Sequence, residues 1–148
     1  MKKVSEIKVS YTSRVRLSDA PQITNSYSAY QVLAAHWDWS EIELREHFNI
    51  LLLNRASRVK AFYNVSIGGQ AGTVVDAKII FATALKTMSS SIILAHNHPS
   101  SNLNPSQADK ALTQKLVEAG QLLDLPVLDH LILTPEGTYF SFADEGLI

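Results

Sequence analysis

Residues 91–96, Ser-Ile-Ile-Leu-Ala-His, form a short unbroken apolar run that closes on a polar, proline-containing stretch. A run of that length bounded by polar residues reads as a strand, and one without alternation is buried on both faces. Such a strand must lie inside a sheet, with cover above and below it. The chain has the material for that cover. Of its 148 residues, 46% are hydrophobic and 18% charged, enough for one domain's core, so global disorder is excluded.

The rest of the pattern alternates strands and helices. Residues 46–53 (EHFNILLL) read as a second buried strand, 54–57 as a turn, and 59–67 as its hairpin partner, broken by Gly68 and Gly69. Apolar residues at helical spacing predict helices over 26–37, capped by Asn25 or Ser26, and over 76–88, with Asp76 as cap. In the second of these, Ile80, Phe81, Ala84, Leu85 and Met88 share one stripe. A longer helix is expected from about 105 to 123, with Pro105 in its first turn. Residues 127–133 and 138–142 read as strands joined through a turn at 135–137. Ile7, Val9, Tyr11, Val15 and Leu17 alternate roughly, which suggests a strand or an extended arm. The expectation is an N-terminal arm over 1–25 and one mixed α/β domain over 26–148.

The chain contains no cysteine. That excludes disulfides, thiolate zinc sites, iron–sulfur clusters and a cysteine nucleophile, so any metal must be held by His, Asp or Glu. The formal net charge is −1, too balanced to point to a polyanion partner. Lys2, Lys3, Lys8, Arg14 and Arg16 nevertheless make the arm basic, against Glu6 and Asp19. It reads as a solvated tail, with weak nucleic-acid contact as the alternative. No apolar run approaches the ~20 residues of a membrane span, and the start lacks a secretory signal. No membrane association is expected, and the cytoplasm is the expected location.

The chemistry concentrates at His96-Asn97-His98-Pro99, followed by Ser106 and Asp109. Residues two apart on an extended chain point to the same side, so His96 and His98 can present two imidazoles together at a strand end. Asp109 lies about one turn into the next helix, and a strand end can face a helix start across a crevice. Two histidines and an aspartate make a three-ligand site with an open fourth position for water, the arrangement of catalytic zinc. Each part alone has a plainer reading: surface histidines on a loop, and a helix cap with a first-turn acid. Their conjunction after a buried strand favours metal. Other histidine enzymes fit poorly, since the chain is too short for an amidohydrolase barrel, has no His-Glu-x-x-His, and lacks the cysteines of zinc deaminases.

His-x-His, ten intervening residues and Asp, with Ser three before the Asp, resembles the JAMM motif of JAB/MPN-type metalloproteases. The surrounding AHNHPS, PS-x-x-D, DKALTQKLVEAGQLLDL, VLDHLIL and SF-x-x-EG are similar to the RadC-like branch, and the match extends upstream through EHFNILLLN and GTVVDAKIIF. It covers roughly residues 26–148. The resemblance implies a three-layer, cytidine-deaminase-like mixed sheet flanked by helices, and a Zn2+ hydrolase acting on a peptide or isopeptide-linked protein. It implies that His96, His98 and Asp109 hold zinc, that Glu46 is the general base, and that Ser106 stabilises the tetrahedral intermediate. Two alternatives accompany it: a DNA-associated repair or anti-restriction factor, and a non-catalytic JAB-fold interaction module. The sequence departs from the branch at Ser101, where HNHPSG usually ends in glycine. With a few dozen residues before Glu46, the N-terminal helical region of full-length RadC-type proteins is not expected here.

Of the other notable residues, Asp129-His130 suits a hydrogen-bonded supporting role better than metal ligation. His36 suits helix surface or partial packing, and His47 should point away from Glu46. Trp37 and Trp39 read as anchors of the first helix. Gly68, Gly69 and Gly72 read as turn residues, because they lack the spacing of a phosphate loop.

Overall fold

The computed structural model describes residues 1–70 and 72–148. Buried apolar strands and capped amphipathic segments alternate along it. A short 3-10 turn at Leu17–Asp19 leads to helix α1 (Ser26–His36), strands β1 (His47–Leu53) and β2 (Val59–Ile67), helix α2 (Ala77–Lys86), strand β3 (Ser91–Asn97), helix α3 (Gln107–Leu122), and strands β4 (Val127–Leu133) and β5 (Tyr139–Ser141). The sheet order is β2-β1-β3-β4-β5. β3 runs parallel to β4, and the other neighbouring pairs are antiparallel. The sheet is therefore mixed, with β3 at its centre, as the apolar run requires.

Every residue of β1 and β3 is buried. Alternate side chains divide between two cores. Phe48, Ile50, Leu52, Ile92 and Leu94 pack with Ile80, Phe81 and Ala84 of α2 and Leu116 of α3. Leu51, Leu53, Ile93, Ala95, Leu131 and Leu133 pack on the opposite face with Ala29 and Leu33 of α1 and with Trp37. One helix below the sheet and two above it make a three-layer α/β fold. The period-2 division puts Phe48, Leu94 and His96 on the α2/α3 face.

Local chemistry sets the element ends. Asn25 accepts from Ser28 N–H in a capping box that starts α1, and Asp76 accepts from Lys78 N–H at the start of α2. In the β1–β2 hairpin, Asn54 Oδ1 accepts from the N–H groups of Ala56 and Arg58. Gly120 lets α3 approach the chain entering β4, since a Cβ there would stand 2.3 Å from Leu125 O.

Several expectations change. Residues 7–16 take the extended-arm alternative: they form no strand and are largely exposed, and the backbone pairs with the start of β2 only from Pro21 onward, through Val59 N–H to Pro21 O and the Gln22–Arg58 bridge. Leu85 and Met88 leave the predicted stripe and are 47% and 80% exposed. α2 stops at Lys86, and Met88 turns outward at φ 49°. Pro105 precedes the cap of α3 instead of lying in its first turn. Trp37 is buried, whereas Trp39 is exposed and donates from Nε1 to Ala34 O. Among the described residues, no helix is long and apolar enough to cross a membrane.

Candidate metal centre

The site lies where the end of β3 faces the start of α3. His96 is the penultimate residue of β3, and His98 follows the strand on the same side. Ser106 is the N-cap of α3. Its Oγ accepts from Asp109 N–H at 3.0 Å, while Ser106 N–H donates to Asp109 Oδ2 at 2.8 Å. That box aims the Asp109 carboxylate back at the two imidazoles.

His96 Nε2 and His98 Nε2 are 3.0 Å apart, and Asp109 Oδ2 lies 3.4 Å from the first and 3.3 Å from the second. Tetrahedral coordination with zinc–ligand bonds near 2.0–2.1 Å separates neighbouring donors by roughly 3.3–3.4 Å. The donor triangle has that size. Glu46 Oε1 stands 3.9 Å from His98 Nε2, and Glu46, His96 and His98 each offer a donor atom within 4.8 Å of the others, a group that could hold a metal ion. Glu46 enters through strand pairing. β1 runs antiparallel to β3 with Phe48 opposite His96, so Glu46, two residues earlier, reaches the same face beside His98. Glu46 N–H donates to Gly69 O and its carbonyl accepts from Gly68 N–H.

Electrostatics separates the two carboxyls. Burial pushes Glu46 above the usual carboxylate range, aided by the negative charge of Asp109 and opposed by the two histidines. Burial acts on Asp109 in the same direction. There, the two histidines beside it and the hydrogen bond from the Ser106 N–H outweigh it and hold the group well below its ordinary value. Asp109 therefore stays anionic, while Glu46 is the more basic carboxylate. Burial disfavours charged His98, but Asp109, the Asn102 carbonyl and Glu46 together raise its pKa.

The structure brings Glu46, His96, His98, Ser106 and Asp109 into one cleft of 560 Å³. His47 points to the opposite face and meets Glu41 at 2.7 Å. His36 stacks on Phe62 at the surface. His130 is wholly buried, with Nε2 at 2.7 Å from His96 Nδ1 and Nδ1 at 2.6 Å from Thr113 Oγ1. Burial, and then the charge of His96, hold it well below the ordinary histidine value, so it is neutral.

Three contributors escaped the sequence reading. Asn97, between the two histidines, points to the other face; its Oδ1 accepts from His47 N–H, and its Nδ2 donates to the carbonyls of Ile42 and Arg45. It thereby pins the loop that carries Glu46. Thr113 lies four residues after Asp109, on the same helix face, a spacing that could have pointed to it. The third is the Asn102 carbonyl, which accepts from His98 Nδ1–H.

Ser101, in the loop beside the donors, adopts φ 67°. The left-handed conformation costs a side chain roughly 1–2 kcal/mol, partly offset in glycine by its greater unfolded-state entropy. Ser101→Gly is expected to raise unfolding stability by about 0.5–1 kcal/mol in urea titration. A loss of stability would show that the serine is not strained there.

The RadC-like JAB domain model matches residues 23–147. The chain is 49% identical over 102 residues to a UPF0758 protein of Flavobacterium johnsoniae, covering 69% of this chain and 44% of that one. It is 40% identical over 126 residues to a UPF0758 protein of Porphyromonas gingivalis, covering 85% and 54%. The UPF0758 protein YfjY of Escherichia coli K12 is 40% identical over 124 residues, covering 81% and 77%. The chain thus spans about half the length of the first two of these relatives. Because the family model runs from just before α1 to the penultimate residue, over a three-layer mixed sheet, the chain belongs to the RadC-like JAB domain family.

Proposed function

We propose that the chain is a zinc-dependent hydrolase that cleaves an amide bond of the peptide or isopeptide type, in the cytoplasm. The observation that carries this reading is the triangle of His96 Nε2, His98 Nε2 and Asp109 Oδ2, whose edges of 3.0, 3.4 and 3.3 Å suit tetrahedral zinc, with buried Glu46 beside it. Zinc in this donor set supplies Lewis acidity and lowers the pKa of water to ~7. Glu46, made more basic by burial, takes the proton from the attacking water and returns it to the leaving amine. Ser106 Oγ already accepts from Asp109 N–H, which leaves its own hydroxyl proton to donate to the oxyanion forming on the scissile carbonyl.

The lining supports a neutral amide over a phosphodiester. Among the described residues, no Lys or Arg lines the cleft to hold a phosphate. A phosphate backbone would find none of the basic side chains that usually track it. The test combines elemental analysis with an unbiased screen of peptide and isopeptide cleavage. About one zinc per chain is expected, with cleavage that chelation abolishes and added zinc restores. A zinc-saturated, desalted chain with no stoichiometric zinc would overturn the reading. Full zinc without cleavage of any substrate would favour the non-catalytic interaction module, and salt-sensitive DNA binding the DNA-associated alternative.

A further inference from the structure

His98 has its tautomer set by a group that can only accept. Its Nδ1 faces the Asn102 carbonyl and must carry a proton toward it, which leaves Nε2 as the nitrogen for a metal. His96 has no such carbonyl. Its Nδ1 faces His130 Nε2 at 2.7 Å, and a ring nitrogen can donate or accept. The proton order at His96 is therefore decided further along the chain of contacts.

That chain ends on α3. His130 Nδ1 lies 2.6 Å from Thr113 Oγ1, and Thr113 Oγ1 lies 2.7 Å from the carbonyl of Asp109. A hydroxyl has one proton. If Thr113 gives it to the Asp109 carbonyl, the usual back-bond of a helical threonine, Thr113 can only accept from His130. His130 then carries its proton on Nδ1 and accepts from His96 Nδ1–H. His96 is left with a bare Nε2, aimed at the donor triangle. The reverse order also pairs every nitrogen, but it ends with a proton on His96 Nε2, where it blocks a metal. The direction of one hydroxyl proton thus separates a metal-binding site from a blocked one.

We propose that Thr113 and His130 are positioning residues that fix this proton order, so that His96 meets a metal through an unprotonated Nε2. The inference rests on the zinc reading above. The surroundings are built to hold such an order. His130 is wholly buried and stacks on Phe142 at a ring separation of 4.7 Å, and Phe48 lies parallel to His96. Both inner nitrogens lie among buried rings, and a half-turn of either imidazole would put carbon where its nitrogens now make hydrogen bonds. Partners of this kind orient a ligating imidazole, and their loss typically lowers metal affinity about 10–100-fold.

Two measurements test it. In the zinc-free 15N-labelled chain, two-bond proton–nitrogen correlation should show both His96 and His130 protonated on Nδ1; a proton on Nε2 of either would overturn the proposal. In chelator competition, Thr113→Val, which keeps the shape and removes the hydroxyl, should weaken zinc binding by about 10–100-fold. Thr113→Ser, which restores the hydroxyl, should recover it. Thr113→Val binding zinc as tightly as the unaltered chain would also overturn the proposal. If the unaltered chain takes no zinc, the zinc reading fails by itself, and the nitrogen spectrum still decides the proton order. The same spectrum decides it if Thr113→Val does not fold.

Discussion

Glu46→Gln is expected to leave about one zinc per chain in place and to lower hydrolysis by about 10²–10⁴-fold, the usual contribution of a positioned general base. The amide has the size of the carboxylate but cannot take a proton. Glu46 is 8% exposed and raised in pKa chiefly by burial. Neutralising it therefore removes a buried charge and should not cost the fold its stability. Its 3.9 Å separation from His98 Nε2 is longer than the 3.0–3.4 Å edges of the triangle of His96, His98 and Asp109, which favours a base over a ligand. The decisive comparison is zinc content and kcat on one preparation. Loss of zinc together with activity would make Glu46 a ligand, and unchanged kcat would remove it from the chemistry.

His96→Ala or Asp109→Ala should each abolish stoichiometric zinc, read by elemental analysis after desalting. Removing one corner leaves too few donors for a closed site. The unaltered chain should also melt higher as zinc is added, because a ligand that binds only the folded state stabilises it by mass action, about 2.7 kcal/mol at a hundredfold excess over Kd. Neither variant should respond to zinc. Asp109→Ala should lose about 1 kcal/mol more, since Asp109 Oδ2 also accepts from Ser106 N–H in the α3 capping box. Full zinc in both variants would show that the donor set is wrong.

Much of the scaffold was legible because its signals are local. The run at 91–96, the buried strand from His47 and the caps Asn25 and Asp76 each depend on residues within one turn or one pleat. The errors arose where local pattern lacked a tertiary partner. Of the two readings of the alternation in residues 7–17, the extended arm holds and the strand does not, since backbone pairing with the start of β2 begins only at Pro21 and Gln22. Met88 kept helical spacing but fell beyond the end of α2. Trp39 shared the hydrophobicity of Trp37, yet only Trp37 reaches the core under the sheet.

The site divides in the same way. The absence of cysteine limited any metal to nitrogen and oxygen donors, and the two-residue period of an extended chain put His96 and His98 on one side. Those conclusions need no distant contact, so the sequence determined them alone. What stands beside and behind the two imidazoles depends on segments brought together from far along the chain. Phe48 opposite His96 carries Glu46 into the cleft, and the parallel pairing of Leu94 with His130 carries a second imidazole to the back of the first. Strand register of that kind is set by packing between distant segments, so only the tertiary structure could decide it.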